Sequence, residues 1–265
     1  MSKALIKMEI KANYKIFLLF AAILTLYASV ISAMYDPKLG NSLQEMAQSM
    51  PELFSAFGMS NPGTTLLEFL ITYLYGFLFL MIPFLFTVIV SYRLMANYID
   101  KGSMAYLLNT SYDRKQIFLT QLFVLYVGIL LLLLYAGILI IISCETMFHG
   151  ELEIGKFIIL NVGLCFLHLF LGSMCFMFSC VCNETKYAVG FSAGFGIVFF
   201  LLQMLSQVNE KIEWMKYLTP LSFFQPDALI HYETFGLLGV LIFALMSIGI
   251  LIFSLYRFKE KDLHL

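Results

Sequence analysis

The chain has 265 residues, of which 61% are hydrophobic and only 12% charged, and its mean hydropathy is +0.88. Soluble domains carry about 45–50% apolar and 25% charged residues, so this chain holds more apolar surface than one water-soluble core of its length can hide. That surplus disfavours disorder, a secreted disulfide scaffold, a nucleic-acid binder and an ordinary cytosolic enzyme and leaves an integral membrane protein, while 16 Lys and Arg against 17 Asp and Glu give a net charge of only −1.

In residues 3–15, Lys3, Lys7, Lys11 and Lys15 recur every four residues beside Ala4, Leu5, Met8 and Ala12. This stripe predicts an amphipathic helix on the inner leaflet before the chain turns into its first span, with a solvated basic tail as the alternative. No small-residue cleavage site follows, so a secretory signal is not expected. Six stretches are long and apolar enough to cross a bilayer: 16–34, 69–91, 117–143, 157–180, 188–206 and 235–256. None contains Asp, Glu, Lys or Arg.

Six spans put both termini on one side. That side carries 12 of the 16 Lys and Arg, including Arg93, Lys101, Arg114, Lys115, Lys186, Arg257, Lys259 and Lys261. The basic side is cytoplasmic by the positive-inside rule, and a bacterial plasma membrane is the expected location. On the acidic outer side, Ser42 and Glu45 form an S-x-x-E capping box, and Pro51 opens a second turn ending at Gly58, which predicts two short interfacial helices. The loop before span six, with Trp214, Tyr217, Leu218, Pro220, Leu221, Phe223, Phe224 and Pro226, is expected to dip into the outer interface or cap the bundle.

Cys144, Cys165, Cys175, Cys180 and Cys182 have neither zinc spacing nor extracellular pairing, so small apolar packing is their expected role. His168, near the middle of span four, is a functional candidate because charged groups at that depth are costly. A neutral imidazole bonded to a neighbouring helix is the structural alternative, and Gln203, Gln121 and Asn161 carry the same two readings. Pro83 is the one proline inside a span, and broken helices in two related halves are not expected. Gly190-Phe191-Ser192-Ala193-Gly194 matches G-x-S-x-G, which raises an intramembrane serine protease. Ser192 and His168 differ in depth by about 12 Å on ideal helices, so a small-residue packing face of Gly190, Gly194, Ser192 and Gly196 is the simpler expectation.

Four segments together resemble the type-2 permease family of ATP-binding-cassette (ABC) exporters: KALIKMEIKANYK at 3–15, DKGSMAYLLNTSYDRKQI at 100–117, KYLTPLSFFQP at 216–226 and RFKEKDL at 257–263. Where that family often has Pro in the inner-loop turn, Ser111 stands here. The resemblance implies a six-helix, all-α, type V-like permease with an elbow helix at 1–15. It also implies a cytoplasmic coupling helix at 103–109, in which Ser103, Met104, Tyr106, Leu107, Leu108, Arg114 and Lys115, with Glu184 and Lys186 of the second inner loop, would contact the ATPase. Two such ATPase subunits would bind ATP and Mg²⁺, and a second permease chain would complete a dimer whose axis lies at spans two and five. The chain has no G-x-x-x-x-G-K-[ST] motif, so hydrolysis is expected on the partner and no cofactor on this chain. Tyr73, Phe77, Phe195, Phe199, Gln203 and His168 are the candidate path residues for amphipathic cargo. Toxin or antimicrobial peptides such as phenol-soluble modulins are the expected cargo, with drugs or lipid-linked molecules as alternatives. An immunity protein that binds a toxin peptide without any ATPase is a third reading.

Overall fold

The computed structural model describes residues 2–35, 49–50, 65–109, 112–208 and 210–261. Within them every regular element is helical, and six helices are long and apolar enough to span a membrane: Lys3–Met34, Leu78–Asp100, Arg114–Met147, Ile154–Val181, Thr185–Val208 and Thr234–Glu260. The protein is a polytopic all-α membrane protein. The helices predicted over 42–58 (residues 49–50 apart), the turn at Ser111 and residues 262–263 lie outside the described residues. Each span runs beyond its apolar stretch, because hydropathy marks only the lipid-facing length while backbone hydrogen bonding continues into the interface.

The first span departs from expectation. Residues 3–15 do not form a separate surface helix; Lys3–Met34 is one uninterrupted helix of 32 residues, about 48 Å long. No Gly or Pro falls within it to break the ladder. Leu5, Glu9, Asn13, Phe20, Leu24, Ala28 and Ser32 are all buried, and their spacing makes one continuous stripe. That stripe packs along span three, while the lysines stay exposed. Ser2 caps the start by accepting from the Leu5 amide, and its own amide donates to Thr120 Oγ1 at 3.2 Å, pinning the beginning of span one to span three.

Span two also corrects the sequence reading, because it is broken. It begins at Thr65, where a T-x-x-E capping box joins Thr65 and Glu68 in both directions. A helical turn Leu66–Leu70 passes into a π-helical segment Ile71–Tyr75, the chain kinks at Phe77 (φ −141°, ψ −51°), and an α-helix resumes over Leu78–Ser91. A second π segment, Tyr92–Ala96, precedes Asn97–Asp100. Such wide turns inside α-helices are frequent at functional sites.

Spans two and four form the buried centre, and spans one, five and six lie at the edge. Between spans five and six the acidic-side segment folds back as Glu210–Leu218, Pro220–Phe223 and Pro226–Ile230. It caps the bundle as expected, and glycines let it approach. A Cβ at Gly239 would stand 2.1 Å from the Phe223 carbonyl oxygen, and one at Gly236 would stand 2.9 Å from the backbone of Ala228 and Leu229. Gly239→Val should therefore lift this segment off span six and lower stability by about 1–3 kcal/mol, read as a drop in thermal unfolding temperature in mild detergent. Val at the open Gly249, whose Cβ site has no neighbour within 4 Å, serves as the control and should be neutral.

Candidate functional site

At the basic end, span two ends in Asp100-Lys101-Gly102, and Gly102 adopts a left-handed φ of 66° that lets the chain reverse. A short helix, Met104–Leu108, follows and leads toward span three. Ser103 Oγ donates to the Tyr98 carbonyl at 3.3 Å and holds this helix to the root of span two. Met104 is buried at 1% exposure, and Leu107 and Leu108 pack half-buried against the core. Tyr106 alone stands out, at 78% exposure. The apolar knob read in the sequence as Tyr106, Leu107 and Leu108 is therefore a single projecting aromatic on a seated helix.

Arg114 does not project either. Its Nη1 donates to the carbonyls of Phe258, Lys259 and Lys261 at 3.4, 2.8 and 2.8 Å. It thus caps the C-terminus of span six from the start of span three, while Lys115 is exposed. Lys261 does the same for span four: its Nζ donates to the carbonyls of Cys180, Val181 and Cys182 at 2.9, 3.1 and 2.7 Å. Burial pushes the Lys261 ammonium below the ordinary lysine range, and pushes the Cys182 thiol up, away from reactivity. In the second basic-side loop Glu184 and Lys186 pair at 2.7 Å, and the Thr185 amide donates to Asp100 Oδ2 at 3.2 Å.

Beside this face sits a buried carboxylate that the sequence reading passed over. Glu9, at 2% exposure, accepts from Tyr98 Oη at 2.7 Å and from Gln121 Nε2 at 3.0 Å. Arg93 donates to the Ala12 carbonyl at 3.1 Å nearby. Glu9 was legible as the one acid among the lysines of residues 3–15, set on the helix face opposite to their stripe.

The candidate path residues do not form one cluster. Tyr73 packs on Phe69 at 4.6 Å on span two, with its buried hydroxyl unpartnered, and Phe77 sits at the kink. Gln203 is near the acidic end of span five with a buried, unpartnered Oε1. Phe195 stacks on Phe178 at 5.4 Å and meets Phe199 at 6.2 Å. Of the candidate path residues only Phe195 and Phe199 line a crevice of about 550 Å³. Its floor is Phe170, Met174 and Phe178 of span four, Met246 and Ile250 of span six form the far wall, and Tyr217 to Pro220 close it toward the acidic side.

His168 has a definite backbone partner. Pro83 carries no N–H, so the Phe79 carbonyl four residues earlier loses its helical donor, and His168 Nε2 lies 2.8 Å from that oxygen. Facing a carbonyl, Nε2 must carry the proton, so the ring is held as the Nε2–H tautomer. Ser192 is elsewhere, buried beside Cys175, and the Ser192 and His168 side chains are not brought together. The G-x-S-x-G stretch divides its faces: a Cβ at Gly196 would meet the Phe84 ring at 2.0 Å, whereas Gly190 and Gly194 look onto open space. The five cysteines are all free thiols, and among the described residues no three His, Cys, Asp or Glu side chains converge on a metal-sized site. No protein-family model matches the chain, and no curated protein matches it.

Removing the imidazole with His168→Ala should cost about 1–3 kcal/mol through the unpaired carbonyl. In a Pro83→Ala background the restored amide takes over that carbonyl, and the same substitution should cost clearly less. Equal losses in both backgrounds, measured by unfolding in detergent, would reject the pairing as the role of His168.

Proposed function

We propose that this chain is the transmembrane permease subunit of an ATP-driven ABC exporter, working as a dimer with two cytoplasmic ATPase subunits that bind ATP and Mg²⁺. The observation that carries this reading is the seated helix Met104–Leu108 with Tyr106 alone projecting from it on the basic side. A helix pinned at its start by Ser103 and seated on Met104, Leu107 and Leu108 can move as a rigid body, and one exposed aromatic flanked by Lys101 and Lys115 suits insertion into a cleft of a soluble partner. The positive-inside asymmetry supports placing this face and both termini in the cytoplasm of a bacterial cell. The open Gly190/Gly194 face of span five supports close approach of a second, identical chain.

The crevice between spans five and six supports an amphipathic cargo. It is mainly apolar, is walled by spans four, five and six, and uses Met, which adapts to irregular apolar shapes, beside Phe. Toxin or antimicrobial peptides that fold as amphipathic helices fit this description; a lipid-linked or drug cargo would use the same walls. The protease reading loses its geometric basis with Ser192 and His168 apart.

Purification from the native membrane in gentle detergent should recover a stoichiometric ABC ATPase whose hydrolysis responds to this chain; recovery of the chain alone would reject the proposal. Tyr106→Asp should leave folding and the unfolding temperature unchanged while reducing cargo export at least tenfold. Export at the parental rate with Asp at 106 would remove Tyr106 from the coupling contact.

A further inference from the structure

On the basic face, three sets of contacts between distant parts of the chain close into a ring. Asp100, at the root of the Tyr106 helix, accepts from the amide of Thr185 in the second loop. Directly before that loop, the last carbonyls of span four are gathered by Lys261. The backbone that carries Lys261 is itself gathered by Arg114, which lies just past the Tyr106 helix at the start of span three. The circuit therefore runs from the Tyr106 helix through Arg114, residues 258–261 and the end of span four to the second loop, and back through Asp100.

Helix capping alone does not require this arrangement. The last carbonyls of a helix need donors, and basic residues in the last turn supply them at short range. Span six has Arg257 and Lys259 in its own last turn. Its carbonyls are nonetheless taken by Arg114, 144 to 147 residues away in sequence, and span four is capped from span six across about 80 residues. Both caps come from other elements, so each is also a tether. Between the two tethers the inner ends of spans three, four and six are drawn together over the buried rings of Phe118, Phe176 and Phe258.

We propose that residues 258–261 are a strap that makes the two basic-side loops one mechanical unit, with Arg114 and Lys261 as positioning residues for energy coupling. A push delivered at Tyr106 then reaches the inner ends of spans three, four and six and the second loop together, instead of flexing one short helix. Without the strap, the second loop is joined to the Tyr106 helix by the solvent-exposed Asp100–Thr185 bond and, indirectly, by the packing of residues 92–96 on spans four and five. This use of the strap rests on the permease reading; the tethering itself is a property of this chain alone, and the experiment separates the two.

Genetically encoded spin labels at positions 106 and 183 of the full chain in nanodiscs would report the distance between the loops. The parent should give one narrow distribution, Lys261→Met a broad or shifted one, and Lys261→Arg, which keeps donors for the carbonyls, a return toward the parent. Arg114→Lys, with one donor centre instead of a planar fork, should fall between and serves if the Met variant does not fold. In the complete transporter, without labels, Lys261→Met should retain ATP hydrolysis but export several-fold less cargo per ATP, with Lys261→Arg restoring the ratio. An unchanged loop-to-loop distribution in both Lys261→Met and Arg114→Lys would overturn the strap. A broadened distribution with an unchanged export-to-ATP ratio would overturn its role in coupling. Should no ATPase partner exist, the permease reading fails and the label distances still decide the tether.

Discussion

Inside a bilayer no water is present to satisfy a backbone group that loses its partner, so an unpaired carbonyl there carries its full desolvation cost. Pro83 creates such a carbonyl at Phe79, in the most buried part of the bundle. The structure answers it with His168 from span four, while Thr87 Oγ1 returns to the Pro83 carbonyl at 2.8 Å. The His168 bond ties span two to span four at this depth; spans three and five pack on both, span six packs on span four and span one lies along span three.

The same constraint explains the basic face. Helix ends emerging from lipid still present orphan carbonyls, and here two long cationic side chains reach across the molecule to meet them. Arg114 and Lys261 thereby turn a local need into long-range connections. Glu9 is the counterpart for the first span. A carboxylate buried on a helix running along span three is held by Tyr98 from span two and Gln121 from span three, so that residues 3–15 belong to the bundle rather than to the membrane surface.

Much of this was legible in the residues. The number of spans follows from hydropathy because lipid permits few alternatives, and the capping role of residues 210–230 follows from a segment too apolar for solvent and too broken to span. The separation of Ser192 from His168 followed from helical rise. What escaped were properties that depend on which face of a helix meets another. A lysine stripe of period four looks the same on a surface helix and on the exposed side of a bundle helix; the decisive residues are the buried Leu5, Glu9 and Asn13 opposite it. The Tyr-Leu-Leu triplet does not reveal that only its first member is free, and Arg114 beside Lys115 reads as a pair of equivalent charges although one is spent on span six. Pro83 was visible, but its consequence depended on a partner 85 residues away.

The division of small residues on span five shows how these constraints converge. Ser192 and Gly196 are four residues apart and face inward, where Gly196 makes room for the fully buried Phe84 ring one residue after Pro83. Gly190 and Gly194, with the same spacing, face outward and meet nothing among the described residues. The inward pair belongs to the packing that the proline sets up. The outward pair contributes nothing to it and, as glycine inside a helix, costs about 1 kcal/mol per residue relative to alanine. A bundle built only for its own stability would carry alanine or leucine there, so that face, rather than the catalytic-looking motif that contains it, is the feature of span five that the packing of this chain does not account for.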